Sequence, residues 1–250
     1  MFTPLLTTVA AIRSIAAYLL VSLYVMVAAP AGLVVTLMTR RIKLLYWLGR
    51  LGVRLGLATV GIRYRVAGAE HAEPDRASVY CVNHASNLEP PVLFLALAAV
   101  HPKLRILYKA EIHKLPLLSQ VFDVAGFVPI ERRNREQSRV AIDTAAAALR
   151  EGNSFLIFPE GTRSQTGKLL PFKKGGFVMA IRGGATIVPL TILGTRQAMQ
   201  RGSPIIRPVQ VSVRIGKPID PKDFGFDERE RLITTARTEM ERLLAAGPIR

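Results

Sequence analysis

The sequence predicts an α/β domain, a mixed sheet flanked by helices, carried behind an N-terminal hydrophobic helical hairpin that anchors it to a membrane. Three observations predict it. From about residue 60 onward, short β-rich runs alternate with helical runs, the pattern of a parallel or mixed sheet with helices on its faces. Residues 14–39, between Arg13 and Arg40, carry no charge and are mostly Ala, Leu, Val and Tyr, and about 20 apolar residues suffice to span a bilayer as a helix. A basic, glycine-bearing segment follows directly. The chain of 250 residues therefore divides into anchoring helices, residues 1–58, and an α/β body, residues 59–250.

The first helix contains Pro30. Proline removes a donor and kinks a helix, so a bend is expected there. The second helix covers residues 40–56. At 100° per residue, Arg40, Lys43, Arg50 and Arg54 fall within an arc of about 80°. The opposite face carries Ile42, Leu45, Gly49, Gly52 and Gly56, and Gly52 with Gly56 makes a G-x-x-x-G spacing that lets helices approach closely. That face is expected against the first helix, with the basic face and Trp47 toward lipid headgroups. A cleaved signal peptide ending near Ala29 and Ala31 is the rival; Arg13 alone makes a thin basic start for one, and a basic helix follows at once.

In the body, strands are expected at Ile62–Ala67, Ser78–Val82, Leu104–Tyr108, Phe127–Glu131, Phe155–Phe158, Thr186–Leu193 and Val209–Ile215. Helices are expected at Pro91–Val100, Leu117–Val124, Arg135–Arg150, Gly175–Arg182 and Glu228–Ala246. Asn134 with Gln137, and Asp227 with Glu230, read as capping boxes. Leu232, Ile233, Ala236, Met240 and Leu243 recur at helical spacing as a core-facing stripe.

The formal net charge is +16, half the residues are hydrophobic and the mean hydropathy is +0.27. An anionic partner is implied. The first acidic residue is Glu70, preceded by Arg13, Arg40, Arg41, Lys43, Arg50, Arg54, Arg63 and Arg65. This excess coincides with the most apolar stretch, which an anionic membrane surface explains and nucleic acid does not. Cys81 is the one cysteine, and the four histidines form no His-x-x-x-His pair, so neither a disulfide framework nor a zinc centre is expected.

Four stretches carry polar chemistry where strands end. In Cys81-Val82-Asn83-His84-Ala85-Ser86-Asn87-Leu88-Glu89-Pro90-Pro91, His84 and Glu89 would lie about 140° apart on a continuous helix. Pro90 disfavours helical geometry at Glu89, so a folded loop can return the carboxylate to the imidazole, fix its tautomer and leave the other nitrogen as a base. An ordinary loop histidine with Glu89 as a helix cap is the plainer alternative. Gly126-Phe127-Val128-Pro129-Ile130-Glu131-Arg132 delivers an arginine suited to bidentate phosphate binding, although a surface arginine would read the same. Phe158-Pro159-Glu160-Gly161-Thr162-Arg163-Ser164 offers donors to an anion beside a permissive glycine, or forms a solvated turn. Val188-Pro189-Leu190-Thr191-Ile192 by itself passes for a buried strand.

Taken in this order, the four stretches resemble the glycerolipid acyltransferase family, specifically its 1-acylglycerol-3-phosphate acyltransferase type. The motifs span about residues 78–193, and the N-terminal hydrophobic part is similar to that family's membrane anchor. The resemblance implies His84 as general base, with Glu89 standing where the family usually has Asp. It implies Lys109, Arg132 and Glu160, Gly161, Thr162 and Arg163 at the acceptor phosphate, and Pro189 in a motif associated with the acyl donor. The donor would be acyl-CoA or acyl-carrier protein, with no metal or other cofactor, and the acceptor a lysophospholipid. The positive-inside rule puts the basic residues Arg40 to Arg54, and with them the catalytic domain, on the cytoplasmic face of the membrane, a bacterial inner membrane. Another lysolipid acceptor, such as a lyso-ornithine lipid, and a non-catalytic lipid-binding protein are the competing readings. Arg132 and Arg163 favour a phosphate-bearing acceptor over the first, and the His84–Glu89 pair argues against the second.

Overall fold

The structure is a computed structural model, and it describes residues 4–131, 134–224 and 228–249. The strands β1 (Arg63–Ala67), β2 (Ser78–Val82), β3 (Leu104–Lys109), β4 (Val128–Ile130), β5 (Ser154–Ile157), β6 (Thr186–Leu193) and β7 (Gln210–Ile215) form one sheet in the order β1-β7-β6-β2-β5-β3-β4. All neighbours are parallel except the antiparallel pair β6 and β7. The sheet is mixed, as the alternating pattern implies. The central strands β2 and β5 are buried along their whole length, which is why they read as continuous apolar runs with no alternation.

Helices cover both faces. On one lie α1 (Pro4–Thr39), α2 (Ile42–Val60), α3 (Glu89–Ala96) and α4 (Leu118–Val124). Ala17, Leu57, Val60, Val92 and Leu93 meet Tyr80, Val82, Leu156 and Val188 of the sheet there. On the other lie α5 (Arg135–Arg150), α6 (Gly175–Gly183) and α8 (Arg229–Ala245). Ala145, Leu149, Phe177, Leu232 and Met240 meet Val79, Cys81, Phe155 and Ile187. The short α7 (Thr195–Ala198) follows β6. The helical stripe expected from Leu232 to Leu243 is buried in full.

The first helix runs unbroken through Pro30, so the residue that suggested a bend does not end it. Along α1, Leu5, Ile12, Leu19, Met26, Val27 and Leu37 are exposed. Among the described residues it is the one helix long and apolar enough to cross a membrane, by length and composition. On α2, the glycines receive neighbouring side chains as small residues at helix contacts do. A Cβ on Gly52 would lie 2.6 Å from the Tyr24 ring and one on Gly56 3.0 Å from Val21, both on α1. The Tyr24 hydroxyl donates to Leu48 O at 2.8 Å. Gly49, expected on the same contact, faces Phe94 of α3 instead. Both helices are also tied to the body. Tyr46 Oη donates to Leu104 O at 2.6 Å, and Ser14 Oγ accepts from Ile206 N at 2.8 Å. The core therefore crosses the compositional boundary at residue 58.

Asn134 caps α5, its Oδ1 accepting from the N–H groups of Glu136 and Gln137 at 3.0 Å each. The second expected capping box is described only in part. Asp227 lies outside the described residues, Glu228 occupies the cap position of α8 without a capping hydrogen bond, and Glu230 reaches Lys174 at 2.6 Å.

Candidate active site

Chain order and spatial order diverge at β2. The next strand, β3, lies beyond β5, and β6 lies on the opposite side of β2. Loops leaving the carboxyl ends of β2 and β5 therefore emerge side by side at a switch point, where open α/β sheets form their crevices. Residues 83–88 follow β2 and residues 158–174 follow β5.

The first loop turns His84 and Glu89 onto each other. His84 Nδ1 lies 2.6 Å from Glu89 Oε2. Glu89 begins α3, with prolines in the first turn, so the loop, and not a helix, joins the pair. The Glu89 side chain is fully buried, and that of His84 is 12% exposed. Burial of a carboxylate is costly unless it is saturated with donors. Here Oε1 accepts from the N–H groups of Ala85 and Ser86 at 2.8 and 2.9 Å and from Thr195 Oγ1 at 2.9 Å. Asn83 fixes the loop's base through a reciprocal pair with the Ile192 backbone, at 3.0 and 2.8 Å. The His84 ring stacks on Phe158, with centroids 4.1 Å apart. Its Nε2 makes no hydrogen bond among the described residues. Oriented this way, the imidazole has one nitrogen committed to a carboxylate and one available to take a proton.

The second loop braces the first. Ser164 N–H donates to His84 O at 2.7 Å. Glu160 Oε1 accepts from His84 N–H at 2.8 Å and Oε2 from Leu170 N–H at 2.9 Å. The motif resemblance puts Glu160 at the acceptor phosphate; its carboxylate is instead buried and filled by these two amides. In this geometry the carboxylate ties the two loops together. Burial pushes the Glu160 carboxyl above the usual carboxylate range, the N–H donors of Leu170 and His84 and the nearby His84 ring pull it partly back, and the Glu89 charge adds to the rise.

The remaining expected residues are distributed unevenly. Gly161 has φ +68°, a left-handed conformation that glycine adopts readily. Thr162 is exposed and Arg163 half-buried on the same turn. Lys109 ends β3 on the same edge of the sheet, paired with Glu111 at 2.7 Å. Arg132 lies outside the described residues. Pro189 is not brought to this edge: it is buried within β6, opposite Cys81, and its carbonyl accepts from Gly216 N–H at 2.8 Å. Two contributors were invisible to the motif reading. Thr195 joins Glu89 from far along the chain, and the backbone of Leu170 closes the Glu160 bridge. Neither carries a local sequence signal.

Two cavities flank the loops. One of about 650 Å³ lies on the α1–α4 face, lined by Val21, Gly52, Gly56, Phe94, Ile106 and Met199, with Asn87 and Leu88 of the first loop at its wall. The other, of about 410 Å³, lies on the α5–α6 face, lined by Phe158, Gly161, Arg135 and Lys173 above an apolar floor.

A 1-acyl-sn-glycerol-3-phosphate acyltransferase of Limnanthes douglasii is 34% identical over 169 residues, 67% of this chain and 58% of the relative. That of Borreliella burgdorferi is 27% identical over 202 residues, 81% of this chain and 80% of the relative. The chain thus spans a little over half the length of the plant relative. The crystal structure of the 1-acyl-sn-glycerophosphate (LPA) acyltransferase PlsC from Thermotoga maritima superposes with a TM-score of 0.82 at 23% identity, covering 98% of this chain and 99% of the other; that likeness is one of fold. The acyltransferase family model matches residues 63–193, from the first strand through β6 and including both loops at the switch point. By that match, this chain belongs to the acyltransferase family.

Proposed function

We propose that this chain transfers an acyl group from a thioester, acyl-CoA or acyl-carrier protein, to the free hydroxyl of 1-acylglycerol-3-phosphate, giving phosphatidic acid. The observation that carries the reading is the 2.6 Å contact between His84 Nδ1 and the buried Glu89 carboxylate. A hydroxyl is a weak nucleophile at neutral pH and needs a base at the moment of attack. His84 Nε2 takes that proton as the acceptor oxygen bonds to the thioester carbonyl carbon. Glu89 holds the tautomer and stabilises the imidazolium that forms. The tetrahedral intermediate collapses with loss of the thiolate, which receives the proton from His84. Ester and free thiol are the products, with no covalent enzyme intermediate.

The acceptor phosphate is assigned to Arg163, Thr162 and the Gly161 turn, with Lys109 at the end of β3 and, by the motif resemblance, Arg132. The apolar cavity of about 650 Å³ beside the first loop suits an acyl chain. The exposed apolar side of α1 and the basic residues Arg40, Arg41, Lys43, Arg50 and Arg54 support attachment to an anionic bilayer with the catalytic domain on the cytoplasmic side, the inner membrane in a bacterium.

The test is to incubate membranes carrying the protein with an acyl-CoA and a panel of lysolipids, lysophosphatidate and lyso-ornithine lipid among them, and to identify the products. Phosphatidic acid is expected. Acylation of the ornithine lipid alone would overturn the acceptor assignment. Lipid binding with no product from any acceptor would leave a non-catalytic binder. In the active preparation, His84→Ala should lower kcat about 10²–10⁴-fold with the fold retained.

A further inference from the structure

The Glu89 carboxylate is held by a ring of hydrogen bonds that closes on one residue's backbone. Two of the donors to its Oε1, Ser86 N–H at 2.9 Å and Thr195 Oγ1 at 2.9 Å, belong to residues that also grip Met199. Ser86 Oγ donates to Met199 O at 2.9 Å, and Met199 N–H donates to Thr195 O at 2.9 Å. Ser86, Glu89 and Thr195 are buried, so a partner lost here leaves a polar group unpaired away from water. Met199 opens the segment that leads from α7 to β7. The far end of that segment folds back on its start, Arg207 N–H donating to Ala198 O at 2.8 Å, and it is fastened to α1. Ile206 N–H donates to Ser14 Oγ at 2.8 Å, and the Ser14 hydroxyl, 2% exposed, donates in turn to Ala10 O at 2.6 Å. Tyr18 Oη donates to Pro204 O at 2.7 Å. Residues 199–207 thus make a strap with α1 at one end and the loop of His84 and Glu89 at the other.

We infer that Ser14 and Ser86 are positioning residues at the two ends of this strap, through which α1 keeps Glu89 in register with His84. Asn83 pins the start of the catalytic loop to β6, and the Ser86 hydroxyl pins its middle to the strap. Release of Met199 O frees the Ser86 turn. Movement of that turn takes the carboxylate with it, because Ser86 N–H is one of the carboxylate's donors. The outward side of α1 is apolar and exposed, so a bilayer that seats this helix fixes the far end of the strap. The inference rests on the proposed acyl transfer, and it adds two hydroxyls to which the motif resemblance gave no role.

The experiment uses the full chain in mixed micelles and compares Ser14→Ala, Ser86→Ala, the double variant and Thr8→Ala. The last removes an exposed α1 hydroxyl that bonds Pro4 O within its own helix, and it should behave as wild type. The measurements are kcat, KM for lysophosphatidate and for acyl-CoA, and the pH dependence of kcat/KM, with circular dichroism to check the fold. Each single variant should lower kcat about 5- to 10-fold, the effect of losing one ordinary hydrogen bond, and leave both KM values within about twofold. The acid limb of kcat/KM should move to lower pH. An imidazolium held less closely by Glu89, with Glu160 as the other carboxylate near it, loses its proton more readily. Because both hydroxyls act on one strap, the double variant should fall within about twofold of the weaker single variant. A Ser14→Ala protein that unfolds at lower temperature yet keeps the wild-type kcat and acid limb overturns the inference and reduces Ser14 to packing. Losses that multiply in the double variant overturn it as well. Should Ser14→Ala not fold, Tyr18→Phe tests the same end of the strap, with a fall in kcat of about 2- to 5-fold expected and a wild-type kcat counting against the strap. His84→Ala is assayed alongside; its retention of the wild-type rate, or no phosphatidic acid from the unmodified chain, is failure of the acyl-transfer reading itself and distinct from failure of the strap.

Discussion

Replacing Glu89 by Gln is the sharpest perturbation of the proposed mechanism, because the hydrogen bonds dictate which way the amide must point. Glu89 Oε1 accepts from three donors, Ala85 N–H, Ser86 N–H and Thr195 Oγ1, between 2.8 and 2.9 Å. An NH₂ group there would face three donors, leaving them unsatisfied in a buried site at about 1–3 kcal/mol each. The amide oxygen must therefore take the Oε1 position and the NH₂ the Oε2 position, 2.6 Å from His84 Nδ1. Nδ1 then has to accept. The ring proton moves to Nε2, and the nitrogen that should take the hydroxyl proton already carries one. The equivalent carboxylate-to-amide change in a Ser-His-Asp triad lowers kcat about 10⁴-fold with geometry intact, so a fall of about 10³–10⁴-fold is expected here, with little change in KM. Initial rates of thiol release from acyl-CoA measure it, and circular dichroism checks the fold. Glu89→Asp keeps the charge but shortens the reach by about 1.5 Å, too little to serve His84 and the three other donors together without a loop shift. Its activity should fall between wild type and Glu89→Gln. A folded Glu89→Gln protein within tenfold of the wild-type kcat would refute the tautomer argument.

Thr195→Val keeps the shape of a buried side chain and removes one donor to the Glu89 carboxylate; kcat should drop about tenfold with unfolding little changed, and a wild-type rate would reduce Thr195 to packing. Gly52→Ala presses a methyl onto a Tyr24 ring pinned by its hydroxyl; after the gain in helix propensity, a net loss of about 1–2 kcal/mol is expected in thermal unfolding in detergent, larger than for Gly49→Ala, where the nearest atom is 3.3 Å away, and equal stabilities would count against the close contact. His101 packs against the mutually stacked rings of Tyr46 and Phe94 with neither nitrogen hydrogen-bonded, and burial first, then the Arg50 charge, hold its pKa down to about 4. The unfolded chain therefore takes the proton first as pH falls, so this contribution to stability is complete above about 6.5 and is lost between there and about 4; His101→Phe should flatten the decline of Tm from pH 7 to pH 4.5, and an unchanged slope would exclude His101 as its source.

The sequence alone determined the secondary structure of the body closely, since local periodicity and caps act over a few residues. Thr186–Leu193 and Arg135–Arg150 form the strand and helix expected of them, and the Leu232–Leu243 stripe is buried. It also singled out His84 and Glu89 as a pair that a folded loop could join, although Glu89 is itself the first residue of α3 and the prolines sit in that helix's first turn, where a missing N–H costs nothing. What only the tertiary structure decided depends on strand order. A strand's neighbours are fixed by packing across the whole sheet, and local pattern carries no record of them. Placing β5 beside β2 made Glu160 a brace between two loops, although its motif neighbours suggested an anion site. The same long-range packing brought Thr195 to Glu89, laid Lys173 across Gly161 and kept Pro189 in the middle of a buried strand. The first helix also continues through Pro30 despite its local cost, because contacts along α2 and the body, spread over the whole length of α1, outweigh one missing donor.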